Sequence, residues 1–100
     1  MLTSNYMTTF EFAKLVGLRV VHIVDENLDT EEGATPEQQA VREIAEGRNP
    51  SVIRRYLPDG THEDRSASSL KLSFNILRRI SELQGGQGWK ESPTRPSALH

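Results

Sequence analysis

The chain has 100 residues, 35% of them apolar and 26% charged, with a net charge of -2 and no cysteine. That is enough for one small domain with little spare core. It excludes a disulfide framework and a thiolate zinc site, and it argues against general nucleic-acid binding, which needs a basic surface. The charge is divided unevenly: residues 1–50 carry nine acids and four bases, residues 51–100 five acids and eight bases. Two surfaces of opposite sign facing different neighbours would produce such a split. No apolar run is long enough to span a bilayer, and the start does not read as a signal peptide.

Met1 to Met7 reads as a loose lead. Thr8-Thr9-Phe10-Glu11 is a capping box, with Met7 and Phe12 placed as a hydrophobic staple. It predicts a helix over 9–24, with Phe12, Leu15, Val16, Val20, Ile23 and Val24 on one face and Leu18 and Val21 off it. Apolar residues beyond one stripe imply burial on two sides, the second against a partner. Gly17 in mid-helix is either tolerated, at about 1 kcal/mol against alanine, or marks close approach by another element.

The segment from Asp25 to Thr35 is acidic and without apolar pattern. Asp25, Asn27 and Asp29 start a calcium-loop spacing that then fails, with Thr30 where glycine is required and Pro36 where the glutamate belongs. A solvated acidic loop is the better reading. Thr35, Pro36 and Gln38 open a second helix whose apolar face is Ala40, Val41, Ile44 and Ala45, ended by Gly47 in the left-handed region.

Ser51 to Leu57 is rich in strand formers, and Pro58-Asp59-Gly60 stops it with turn chemistry. A second alternating run, Leu70, Leu72 and Phe74, is the expected partner in an antiparallel pair, joined by more than a two-residue hairpin. Neighbouring strand residues face opposite ways, so one of Arg54 and Arg55 can cover the protein's own surface while the other reaches a partner. Ile76, Leu77, Ile80 and Leu83 predict a third helix over 75–84. The glycines that follow open a tail over 85–100, disordered or ordered only on binding, with Trp89 its one large apolar residue.

Candidate chemistry is sparse. His22 and Asp25 can share a helix face, and His62-Glu63-Asp64 offers metal-binding side chains, but neither has a recognised ligand spacing. Gly85-Gly86-Gln87-Gly88 follows no strand and opens no helix, so it is not a phosphate loop. The pairs Arg54/Arg55 and Arg78/Arg79 leave a second reading open, a small nucleic-acid module, although paired arginines on an acidic protein more often make protein contacts.

One stretch carries a resemblance. Asn49-Pro50-Ser51-Val52-Ile53-Arg54-Arg55-Tyr56-Leu57-Pro58-Asp59-Gly60-Thr61-His62-Glu63-Asp64 resembles the signature of the small common subunit of archaeal, nuclear and viral RNA polymerases, the counterpart of bacterial omega. Thr9-Phe10-Glu11, Gly17 and Arg19, then Pro36, Ala40, Glu43 and Ile44, and finally Ser69-Leu70-Lys71-Leu72 fit the family's order. The resemblance covers about 6–74. The chain departs from the family at Val20 (usually alanine), His22 (commonly glutamine) and Arg65 (usually tryptophan), which marks a divergent member.

The resemblance implies an α+β, omega-like domain with two main helices and an antiparallel strand pair. With a short C-terminal helix the domain spans 1–84, followed by the flexible tail over 85–100. The helix over 75–84 and the tail over 85–100 have no counterpart in the family and rest on periodicity and composition alone. The resemblance implies a non-catalytic subunit, without cofactor or metal, that promotes assembly and stability of a multisubunit DNA-dependent RNA polymerase by clamping its largest subunit. Contact with nucleic acid would be indirect, through the complex, with no membrane association and no homo-oligomer. The expected partner-binding residues are Phe12, Val16 and Arg19 on the first helix and Arg54, Arg55, Tyr56, Leu57, Pro58, Asp59 and Gly60 at the turn. Arg55→Ala is expected to lower incorporation without unfolding the free domain. The expected location is the nucleus, or the cytoplasm for an archaeal or cytoplasmic viral source.

Overall fold

The computed structural model describes residues 3–84. The element order is α1 (Thr9–Asp25), α2 (Pro36–Ala45), β1 (Val52–Tyr56), β2 (His62–Ser66), a single 3-10 turn (Ala67–Ser69) and α3 (Phe74–Leu83). The class is α+β, as the sequence implies. The tail assigned to 85–100 lies outside the described residues.

Both long helices begin as their sequences predict. The Thr8 hydroxyl accepts from the Glu11 amide at 3.0 Å, and the Glu11 carboxylate accepts from the Thr8 amide at 2.9 Å. Thr35 and Gln38 repeat this at α2, with Pro36 at the first turn. Each cap is worth about 1 kcal/mol. Gly47, at φ 72°, follows the end of α2 in the left-handed region. Ser73 caps α3 by accepting from the Ile76 amide.

Phe12, Leu15 and Val16 of α1, Ala40, Val41 and Ile44 of α2, and Ile76 and Ile80 of α3 share one core with Met7, Ala67 and Leu70. Val41 and Ile76 are fully buried, each contributing about 2 kcal/mol relative to exposure. Val24, expected on this face, is exposed instead. It falls on the outer side of the last turn.

The strand pair differs from the expected one. β1 pairs with β2 in antiparallel register, from Val52 opposite Ser66 to Tyr56 opposite His62. The Leu70–Phe74 run is not its partner. Leu70 drops into the core, Lys71 makes one parallel bridge to Tyr6, and Phe74 starts α3. β2 reads His-Glu-Asp-Arg-Ser, without apolar alternation, because its inward side chains meet polar backbone rather than core. The turn itself is as read: the Leu57 amide donates to the Thr61 carbonyl and the Gly60 amide to the Leu57 carbonyl. Gly60 sits at φ 93°, which closes a three-residue hairpin loop.

The N-terminal segment is not loose from residue 3 onward. The Met7 amide donates to the Lys71 carbonyl and the Lys71 amide to the Asn5 carbonyl. Met7 is 2% exposed.

Candidate interaction surface

Three polar clusters tie the elements together. In the first, Arg55 points inward from β1. Its Nε and Nη2 donate to Glu11 Oε2 and Oε1, each at 2.9 Å. Its remaining donor capacity goes to Thr3 Oγ1 and to the Ser4 and Tyr6 carbonyls. Arg65, opposite Ile53 on β2, donates to the Ser4 carbonyl and to Asn5 Oδ1. Glu63 accepts from the Thr3 amide and hydroxyl. The strap over residues 3–7 is thus held by the strand pair's inner face. The Arg55 guanidinium, against some burial, holds the Glu11 carboxyl below the usual carboxylate range. The Thr3 hydrogen bonds do the same for Glu63.

The second cluster joins α1 to α2. Arg19 forks onto Glu43, with Nε to Oε1 at 2.8 Å and Nη2 to Oε2 at 3.1 Å. Gln39 Nε2 also donates to Glu43, and Gln39 Oε1 accepts from the Glu31 amide. Burial opposes the charge on Glu43, but the donors from Arg19 and Gln39 outweigh it, and its pKa is lowered. The third cluster anchors the acidic loop, where Glu31 pairs with Arg42 and Arg48.

These contacts relocate several residues expected at the partner face. Phe12 and Val16 are 3% and 7% exposed and belong to the domain's own core. Their helical phase, shared with Leu15 and Ile23, turns them toward α2 and α3. Arg19 and Arg55 each fork onto a carboxylate of the same domain. Arg54 does face outward, beside Asp64, which it holds through Nε at 3.0 Å. Tyr56 is on the same outer face, 73% exposed, its ring edge-on to His62 with centroids 6.0 Å apart. Pro58, Asp59 and Gly60 stand exposed at the hairpin tip, next to half-buried Leu57. Asp59 accepts from the Thr61 amide and hydroxyl, which lowers its pKa.

A second surface was only half legible. Phe10, Leu18, Val21 and Val24 of α1 are exposed, with Phe10 at 74%. At 100° per residue these four and Gly17 fall within one band of roughly 120°, opposite the buried face. The off-face Leu18 and Val21 signalled it. Gly17 lies near the edge of this band that faces Ala13 and Val20, where an added Cβ would meet nothing within 4 Å. Close approach by an element of this domain is therefore not what that glycine serves.

The other candidate chemistry disperses. Strand alternation sends Glu63 inward and His62 and Asp64 outward, so the three do not converge. Among the described residues, no group of three or more potential ligands could hold a metal. His22 Nδ1 meets Arg19 Nη1, not Asp25. Arg54 and Arg55 point to opposite faces and are each paired with an acid, while Arg79 lies 3.5 Å from Glu82. Neither arginine pair forms the continuous basic stripe that a nucleic-acid module needs. Among the described residues no helix is long and apolar enough to cross a membrane.

No protein-family model matches the chain. Comparison with individual proteins is decisive. The chain is 42% identical over 71 residues to "DNA-directed RNA polymerases I, II, and III subunit RPABC2" of Saccharomyces cerevisiae, covering 68% of this chain and 46% of that protein. The protein of the same name in Schizosaccharomyces pombe is 39% identical over 71 residues, covering 68% and 50%. That of Dictyostelium discoideum is 40% identical over 73 residues, covering 70% and 55%. The chain spans about half the length of these curated relatives.

Proposed function

The chain belongs to the family of the small shared subunit of DNA-directed RNA polymerases, and on that premise we propose that it is a non-catalytic assembly subunit of a multisubunit RNA polymerase. Its partner is the largest polymerase subunit, and it acts wherever that polymerase works: the nucleus for an enzyme like those of the relatives, the cytoplasm for an archaeal or cytoplasmic viral one. The observation that carries this reading is the exposed apolar band of α1, Phe10, Leu18, Val21 and Val24. A lone domain gains nothing by keeping such a band in water, whereas a partner that covers it stabilises both. The outer face of the strand pair, with Val52, Arg54 and Tyr56, supplies a second contact.

The polar residues support a scaffold rather than a catalyst. In the first two clusters the charged side chains are held by opposite charges within the domain, which fixes the angle between α1, α2 and the strand pair. What they present outward is shape and apolar area. The test is a tagged pull-down from the native source at physiological salt with nuclease added, read by mass spectrometry. Stoichiometric recovery of the largest polymerase subunit supports the assignment and identifies the enzyme. Recovery of the chain alone, or loss of all partners to nuclease, rejects it.

A further inference from the structure

A groove of about 710 Å³ runs between α1 and α3. Its apolar wall includes Ala13, Gly17, Val20 and Leu83, and Glu37, Arg78 and Arg79 also line it. Gly17 adds no side chain to the α1 wall between Ala13 and Val20, which keeps the groove wide. The groove adjoins the exposed band, which continues from Gly17 further round the helix. We propose that its occupant is this chain's own Trp89.

The chain itself argues for that occupant. α3 ends at Leu83, which lines the groove, so the following segment starts at the groove's own wall. Six residue steps separate Leu83 from Trp89, a reach of up to about 20 Å. The stretch of α1 along the groove, from Thr9 to Val20, is about 16 Å long at 1.5 Å per residue. That reach spans the gap from Leu83 to the facing stretch of α1. Gly85, Gly86 and Gly88 permit the reversal of direction that a return onto α1 requires. A tether this short holds the indole at an effective concentration in the millimolar range. The site's chemistry suits an indole, with an apolar floor for its area. Seating Trp89 there removes the largest apolar side chain of residues 85–100 from water and fills the groove of the unassembled chain.

Trp89 is the chain's only tryptophan, so its fluorescence reads the contact directly in the full chain. The expected result is emission to the blue of a free indole in water, with severalfold weaker acrylamide quenching. Ala13→Glu places a charge in the groove at an exposed helix position, and Gly17→Leu adds bulk to its α1 wall where a new Cβ meets nothing within 4 Å. Either variant, with its helical circular dichroism unchanged, is expected to move the emission and the quenching to the free-indole values. Wild-type fluorescence already at those values overturns the proposal. So does a protected indole that neither variant releases, because it would then be buried elsewhere.

Discussion

Glu11 and Arg55, 44 residues apart, form a two-point ion pair in which the same carboxylate also closes the capping box of α1. One side chain therefore fixes the start of a helix, the inner face of a strand and, through Arg55's remaining donors, the path of residues 3–6. The side chains of the pair are 11% and 15% exposed, so water does little to replace a lost partner.

Arg55→Ala is accordingly expected to destabilise the free domain by about 2–3 kcal/mol, since it strands a half-buried carboxylate. The expectation from sequence, lowered incorporation without unfolding of the free domain, thus gains a stability cost that the sequence did not show. Arg55→Lys keeps the charge but not the fork, and should recover less than half of the loss. Urea unfolding gives the numbers; an unchanged midpoint for Arg55→Ala would show that the staple contributes nothing. Amide exchange at residues 3–7 should rise first.

The pH dependence follows from Glu11 and Glu43. Both have folded-state pKa values lowered from about 4.5. Their stabilisation is therefore complete above that unfolded value and is lost as pH falls through the lower folded values. The unfolding midpoint should be flat from pH 7 to about pH 5 and drop steadily below. Glu11→Gln together with Glu43→Gln should start lower and fall less steeply; an equal slope in wild type and double variant would place the acid sensitivity elsewhere.

Two glycines should respond in opposite directions. Gly60→Ala forces a side chain into φ 93° and is expected to cost about 1–2 kcal/mol. Gly17→Ala puts a methyl into open space on a helix and should add about 1 kcal/mol. If a partner packs closely on α1, the more stable Gly17→Ala chain should nonetheless compete poorly with wild type for incorporation into polymerase. Equal incorporation would assign the glycine no role at the interface.

Leu18→Glu and Val21→Glu change exposed positions, and each should leave the free domain's stability within about 0.5 kcal/mol. Each should lower incorporation by roughly tenfold, the scale of a single apolar anchor. Competitive reconstitution against wild type measures this. Undiminished incorporation of both would move the contact away from α1.

The sequence by itself determined what is local. Thr8 and Glu11, Thr35 with Pro36 and Gln38, Gly47, and Pro58-Asp59-Gly60 act within a few residues of themselves, so their chemistry can be read in place. The helical periods of α1, α2 and α3 came through for the same reason, and the turn signature was specific enough to reveal the family. Tertiary structure alone decided the pairings between distant side chains. Nothing around Arg55 tells that its partner is Glu11, nor around Arg19 that it forks onto Glu43, because each pair exists only once the helices and strands have packed. β2 escaped notice because its inward residues, Glu63 and Arg65, bind a backbone strap instead of a core, leaving no apolar alternation to read. The same packing decided which face of α1 was core and which was free. Phe12 and Val16 had the composition of an interface, but the core shared by the three helices took them in, and the apolar surface left exposed on α1 was the band that did not fit inside.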